Sequence, residues 1–260
     1  MRLLCALLLI ACAASAQAAI QTRDMPYRSA DGTRMVGYFA YDDSKPGIRP
    51  GVIVVHEWWG LNDYAKRRAR DLAELGYSAL AIDMYGEGKH TEHPQDAMAF
   101  MQAATRDADA AKARFLAGLE LLKRQPQTDP SQIAAIGYCF GGKIVLDMAR
   151  QGLPLAGVAS FHGALGTATP ASKGSVKAKI LVEHGSADSL VPAKDLDALK
   201  QELSAAGADY RVVIQDGAKH GFTNPDADAH KGHGLDIGYD RQADRRSWAD
   251  QIGRASCRER

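Results

Sequence analysis

The segment Ile136-Gly137-Tyr138-Cys139-Phe140-Gly141-Gly142 decides the fold, because it joins a predicted buried strand to a predicted helix through a glycine-rich turn. The G-x-C-x-G spacing is typical of a sharp strand-to-helix turn that holds a nucleophile, here Cys139, above a sheet. Glycines flank the cysteine because the turn is crowded, and the partial positive charge at the helix N-terminus favours a thiolate. Taken alone, the motif also fits a buried structural cysteine.

Predicted strands alternate with predicted helices on both sides of this turn. A hairpin around Asp31-Gly32 comes first, and Asn62 is a candidate helix N-cap. Because parallel neighbours need a crossover, the alternation predicts an α/β fold with a mostly parallel central sheet and helices on both faces. The strands are predicted over residues 21–28, 34–41, 51–55, 77–83, 133–136, 157–161, 180–184 and 210–215, and the helices over 62–75, 94–123, 142–150, 193–206 and 238–250.

Two further reactive side chains follow predicted strands. Ligands of open α/β sheets bind beyond the carboxyl ends of the strands, so reactive residues at those points are candidates for catalysis. Asp188 lies directly after the strand at 180–184, and His220 lies between small residues after the last strand. The chain order nucleophile, acid, base is the one expected for this kind of turn. We therefore predict a catalytic triad of Cys139, Asp188 and His220.

The loop His56-Glu57-Trp58-Trp59-Gly60 follows the buried strand at 51–55. In this arrangement it supplies a second oxyanion-hole donor, so we expect the backbone N–H groups of Trp58 and Phe140 to hold the oxyanion. Glu57 is then expected beside the nucleophile. Trp58 and Trp59 fit either the wall of an apolar substrate pocket or ordinary core packing.

These blocks together resemble the dienelactone hydrolase family from about residue 23 to residue 250. The resemblance implies an α/β-hydrolase fold, with Cys139 as nucleophile, Asp188 and His220 completing the triad, and Glu57 governing the ionisation of Cys139. The stretches that carry it are His56 to Asn62, Asp83-Met84-Tyr85-Gly86, Gly137 to Gly142, His184-Gly185-Ser186-Ala187-Asp188, and His220-Gly221-Phe222 with Asn224-Pro225.

The resemblance implies hydrolysis of a small-molecule carboxylic ester or lactone through a cysteinyl thioester. We assign Tyr85 and Phe222 to substrate binding, together with Trp58 and Trp59. Family members that act on the dienelactone carboxylate use arginines near the pocket, whereas this chain has Gly86-Glu87-Gly88-Lys89-His90 after the aspartate block. Two alternatives keep the fold: a non-catalytic binding protein, and an acyltransferase to an acceptor other than water.

Composition argues against several other classes of function. The 260 residues carry a formal net charge of +1, with 46% hydrophobic and 24% charged residues, so no nucleic-acid-binding surface is expected. No G-x-G-x-x-G spacing is present, and we predict no cofactor. The pairs His90/His93 and His230/His233 lie in polar loops without a cysteine partner, so we predict no metal site.

The sequence predicts one domain spanning residues 19–250, with a separate segment at each end of the chain. Residues 1–18 resemble a secretion signal, with an apolar run too short to span a membrane and two A-x-A cleavage patterns, so we expect an exported, periplasmic or secreted protein. Leu9-Ile10-Ala11-Cys12 leaves open a lipid anchor on Cys12. Residues 251–260 lose the apolar period and are interpreted as a tail foreign to the domain.

Overall fold

The computed structural model describes residues 20–255. The predicted signal segment 1–18, the candidate lipid site Cys12 and residues 256–260 lie outside this range. Inside it, no helix combines the length and the hydropathy that a membrane span requires.

Eight strands in residues 20–255 form one sheet, in the order β1-β2-β4-β3-β5-β6-β7-β8. The first two strands form the expected hairpin, β2 pairs antiparallel with β4, and every later pairing is parallel. The mostly parallel sheet predicted from the alternation is therefore confirmed. The strands are β1 Ile20–Arg28, β2 Arg34–Asp42, β3 Arg49–Val55, β4 Ser78–Ile82, β5 Thr128–Tyr138, β6 Gly157–Phe161, β7 Lys179–Gly185 and β8 Tyr210–Gln215.

Helices connect the parallel strands. They are α1 Asp63–Glu74, α2 Pro94–Thr105, α3 Ala108–Lys123, α4 Phe140–Arg150, α5 Ala193–Ala206 and α6 Arg241–Ala255, and a 3-10 helix spans Pro225–His233. Asn62 caps α1 as predicted, accepting a hydrogen bond from the Ala65 N–H.

Two of the predicted helices differ from the observed ones by more than two residues. The single helix expected over 94–123 is two helices, because the Asp107 carboxylate caps a new N-terminus by accepting from the Asp109 and Ala110 N–H groups. The last helix was predicted over 238–250 but begins at Arg241 and continues to Ala255. Its late start follows from two backbone hydrogen bonds, from Gly238 to His220 and from Asp240 to Phe222, which hold the preceding residues against the His220 loop.

Successive side chains of the buried strands point to opposite faces of the sheet, so the core has two layers. In β3, Ile53 and Val55 face a layer that includes α3, α4 and α5, while Val52 and Val54 face the layer under α1. Both faces of the strand are covered, which is why its sequence is an unbroken apolar run.

The strand order reverses direction at the centre of the sheet. From β3 the chain crosses to β4 on one side, and it later returns to β5 on the other side of β3. Loops that leave the carboxyl ends of β3 and β5 therefore diverge and open a crevice, the usual ligand position in such sheets. The segments that begin at His56 and Cys139 border this crevice.

Candidate active site

Cys139 lies at the turn between β5 and α4 in a conformation unusual for a side-chain-bearing residue, with φ of +51°. Its N–H donates to the Phe161 carbonyl at 3.0 Å, which ties the turn to β6. A Cβ atom on Gly137 would lie 2.1 Å from the Gly141 carbonyl oxygen, and one on Gly141 would lie 2.2 Å from the Val55 carbonyl oxygen. Both elbow glycines are thus required by close backbone approach.

His220 and Asp188 form a buried pair beside this turn. The His220 Nδ1 atom lies 2.9 Å from Asp188 Oδ2. The other carboxylate oxygen, Oδ1, accepts the N–H groups of Leu190 and Val191 at 2.9 and 3.1 Å, which fixes the carboxylate at the start of α5. The structure therefore brings together the three residues predicted as a triad.

The charges around His220 favour its protonated form. Burial on its own lowers the pKa of His220, but the negative charge of Cys139 and the hydrogen bonds to Asp188 and Cys139 together raise the pKa to about 10. The imidazole is consequently a cation at neutral pH when it faces a thiolate.

Glu57 is buried at the end of β3 and lines the same cavity as Cys139 and His220. The Asn224 side-chain amide donates to its Oε2 atom at 2.7 Å. Burial raises the pKa of Glu57 to about 7, although the Asn224 hydrogen bond and the nearby charges of His220 and Arg68 act to lower it. Its carboxyl group can therefore gain or lose a proton in the neutral range.

The loop that carries Glu57 and Trp58 is fixed from behind by two aromatic residues. The His56 Nε2 atom accepts the Met84 N–H at 3.2 Å, which leaves Nδ1 as the donor to the Glu57 carbonyl at 2.6 Å. The Tyr85 hydroxyl donates to the Trp58 carbonyl at 3.0 Å. The orientation of the Trp58 peptide unit is thus set by a side chain on the adjacent loop.

A cavity of about 430 Å³ opens beside Cys139. Trp58, Trp59 and Phe140 border it, as expected for a substrate pocket of the usual size. The rest of the wall is mostly aliphatic or thioether side chains that the sequence interpretation missed: Met98, Met101, Leu190, Val191, Leu235 and Ile237.

Residues 35–253 match the sequence model of the dienelactone hydrolase family. This chain belongs to the dienelactone hydrolase family. Like its relatives, it is a hydrolase of the ester-cleaving type, with the α/β-hydrolase fold.

Relatives from several sources show the extent of the similarity. Protein usf of Aquifex pyrophilus is 30% identical over 199 residues, which cover 75% of this chain and 84% of that protein. A protein of Aquifex aeolicus, provisionally named a carboxymethylenebutenolidase, is 27% identical over 205 residues, covering 75% of this chain and 84% of its own. Among solved structures, a dienelactone hydrolase-like promiscuous phosphotriesterase from metagenomic libraries superposes with a TM-score of 0.85 at 37% identity, covering 92% of this chain and 98% of that chain.

Tyr85 and Phe222, which were assigned to substrate binding, do not border the cavity of this dienelactone hydrolase family member. Tyr85 lies behind the Trp58 loop, where its hydroxyl donates a hydrogen bond to the backbone carbonyl of Trp58. Phe222 is fully buried, with its ring 5.2 Å from that of His162. Both side chains therefore lie outside the cavity lining, so their assignment to direct substrate contact stays a prediction that the geometry does not favour.

His162 is a buried residue to which no role was assigned from the sequence. It has a φ of +39°, and its ring lies 5.2 Å from the ring of His220. The His162 Nε2 atom is 2.7 Å from the Thr223 hydroxyl, which in turn lies 2.6 Å from the Tyr64 hydroxyl. Burial holds the pKa of His162 well below its usual range, so the ring backs His220 as a neutral group.

Asn224 is the other residue near the chemistry whose role was missed. It lies in the His220 loop, and its side-chain oxygen caps the 3-10 helix by accepting the Asp226 N–H at 3.0 Å while its amide holds Glu57. An Asn directly before Pro225 at the start of a helix indicates an N-cap. The same pattern does not indicate the contact with Glu57 on a distant loop.

The two histidine pairs noted in the sequence, His90/His93 and His230/His233, do not line the cavity beside Cys139. His230 stacks on Trp59 with ring centroids 4.0 Å apart, and His233 lies 6.1 Å further along. In residues 20–255, no three side chains of the types His, Cys, Asp or Glu converge as a metal site would require.

Proposed function

We propose that this hydrolase cleaves carboxylic esters or lactones through a covalent thioester on Cys139. The observation that carries the proposal is the position of Cys139 on a strained turn, beside the buried pair in which His220 Nδ1 lies 2.9 Å from Asp188 Oδ2. This arrangement supplies a nucleophile and an oriented proton donor in one buried site.

In the first half-reaction the Cys139 thiolate attacks the carbonyl carbon, forming a C–S bond while the π electrons move to the carbonyl oxygen. The N–H groups of Phe140 and Trp58 are assigned to hold this oxyanion. The intermediate then collapses and breaks the ester C–O bond, and the His220 imidazolium gives its proton to the departing alkoxide. Asp188 keeps the imidazole oriented throughout through the 2.9 Å contact to Nδ1.

In the second half-reaction, neutral His220 takes a proton from water as the hydroxide adds to the thioester. Collapse of this second intermediate breaks the C–S bond, releases the acid and restores the thiolate and imidazolium. Burial raises the pKa of Glu57 to about 7 beside these groups, so a change in its charge in the neutral range would alter the stability of the thiolate.

A burst assay with p-nitrophenyl acetate tests the covalent step. We expect a rapid release of p-nitrophenol whose amplitude equals the enzyme concentration, and an acetyl adduct on Cys139 by mass spectrometry of the quenched reaction. Cys139→Ala should abolish the burst, and Asp188→Asn should slow it by a factor on the order of a thousand or more. A folded Cys139→Ala protein with an unchanged burst would overturn the proposal.

The signal-like segment supports export as part of the same proposal. Residues 1–18 carry a positive start, a short apolar run and small residues at the cleavage points. Cell fractionation tests this, since the intact chain should be found outside the cytoplasm and a chain that lacks residues 2–18 should remain inside it.

A further inference from the structure

The charges around the cavity leave no free cation for an anionic substrate. Among the side chains that the structure describes, the ionisable ones bordering the cavity are Glu57, Cys139, Lys143 and His220. Three of these belong to the proposed chemistry. No arginine borders the cavity within the described range, so Lys143 is the remaining candidate to hold a substrate carboxylate.

Lys143 is already paired with a carboxylate of its own helix. Its Nζ atom lies 2.5 Å from Asp147 Oδ2, one turn further along α4. Asp147 also binds Arg150 at 2.9 Å, and Arg150 makes hydrogen bonds of 2.9 and 3.0 Å to Glu202. These two cations and two anions compensate one another, so the field that Lys143 projects into the cavity is weak.

Much of the remaining cavity wall is apolar and partly open to solvent. Met98 and Met101 lie one turn apart on α2, and Leu190 precedes α5. Met98 is 41% exposed and Leu190 is 50% exposed, which is unusual for large apolar side chains grouped at one opening. A ligand with an apolar chain would cover them, and methionine side chains adapt well to such chains.

We propose that the substrate is an uncharged ester or lactone that carries an apolar chain, which packs against Met98, Met101 and Leu190. This inference rests on the proposed ester hydrolysis and specifies its substrate class. A carboxylate on the chain would be buried without a free partner, which is costly, so substrates that carry one are rejected.

Two series of neutral esters test the chain preference. In the first, the acyl group of a p-nitrophenyl ester grows from acetate to hexanoate. In the second, the alcohol of an acetate ester grows from ethyl to hexyl, and acid release is followed at constant pH. We expect kcat/KM to rise about tenfold in at least one series, because each buried methylene favours binding of the transition state. If kcat/KM does not change with chain length in either series, and the same enzyme shows the acetyl burst, the inference is overturned while ester hydrolysis stands.

A charged and a neutral substrate of the same length test the rejection of carboxylates. Mono-p-nitrophenyl glutarate has the same number of acyl carbons as p-nitrophenyl pentanoate but ends in a carboxylate. We expect its kcat/KM to be at least about tenfold lower. Equal rates would overturn the inference. Their loss for the glutarate alone in Lys143→Met would then show that Lys143 leaves Asp147 to anchor a carboxylate.

Variants of the wall connect the preference to the structure. Met98→Ala and Leu190→Ala should reduce the dependence of kcat/KM on chain length by several-fold across the favoured series. Ile48→Ala is the matched control, because Ile48 is also a large exposed apolar residue, 66% exposed, but lies between β2 and β3 away from the cavity wall. A chain-length dependence that falls equally in all three variants would show that the wall does not select the substrate. Absence of a burst with every ester would instead refute the proposed function itself.

Discussion

Replacing Glu57 with glutamine is expected to stabilise the protein at alkaline pH while removing a titration from its activity. The Glu57 carboxyl is buried, and its pKa is raised to about 7 chiefly by burial. Glutamine keeps the shape and can still accept the Asn224 amide hydrogen bond, but it carries no charge to bury. Glu183 is a control from outside the cavity, since it is also buried, accepts a hydrogen bond from Gln215 at 2.8 Å and has its pKa raised to about 7.

The sign and size of the effect follow from the two pKa values of Glu57. The unfolded carboxyl loses its proton near pH 4.5 and the folded one near pH 7, so native stability falls as the pH rises between these values and stays reduced above them. Relative to glutamine, the carboxyl therefore costs under about 1 kcal/mol at pH 5 and about 3 kcal/mol at pH 8.5. Glu57→Gln should recover most of that amount at the higher pH.

Urea denaturation of the parent, Glu57→Gln and Glu183→Gln at pH 5 and pH 8.5 measures this prediction. Both variants should gain free energy of unfolding relative to the parent as the pH rises. Only Glu57→Gln should also lose the inflection near pH 7 in the pH dependence of kcat/KM. The reasoning fails if Glu57→Gln shows the same gain at both pH values, or if the kinetic inflection persists without the carboxyl group.

Three further substitutions test other contacts. Asn224→Ala removes the donor that stabilises the Glu57 carboxylate, so the inflection of kcat/KM near pH 7 should move upward by about 1 to 2 pH units. If the inflection does not move, it belongs to another group. Gly141→Ala places a Cβ atom 2.2 Å from the Val55 carbonyl oxygen, so thermal unfolding should report a loss of about 3 kcal/mol or more, and a melting temperature near that of the parent would contradict the crowding. Phe115→Ala empties a fully buried core position and should cost about 3–5 kcal/mol in urea denaturation, whereas a loss below about 1 kcal/mol would show that the core collapses around the gap.

The parts of the fold that local pattern controls could be predicted from the sequence. The strand at 51–55 was recognised because both of its faces are buried, which leaves an unbroken apolar run. The helix predicted over 193–206 has these bounds in the structure, and it ends at Gly207, whose φ of +70° is a left-handed conformation that glycine adopts readily. The break between α2 and α3 was missed because the alanine-rich stretch around Asp107 has no glycine or proline to mark it.

Only the site residues that directly follow a strand of the parallel sheet could be predicted from the sequence. Cys139, Asp188 and His220 each follow a parallel strand, and the carboxyl ends of parallel strands meet at one edge of the sheet. Met98 and Leu190 reach the cavity through the packing of α2 and the approach to α5, which no local pattern reports. Tyr85 lies near the site in sequence, but the direction of its side chain depends on the Trp58 carbonyl that it binds.

The backbone at Cys139 has a consequence for the evolution of the enzyme's stability. A φ of +51° is a conformation that glycine adopts readily and that a residue with a Cβ atom occupies at a cost of roughly 1–3 kcal/mol. A chain with glycine at position 139 is therefore expected to be more stable, but it would lack the proposed nucleophile. Under that proposal, selection for stability alone would favour loss of the cysteine, and its presence at this strained position reflects selection for reactivity.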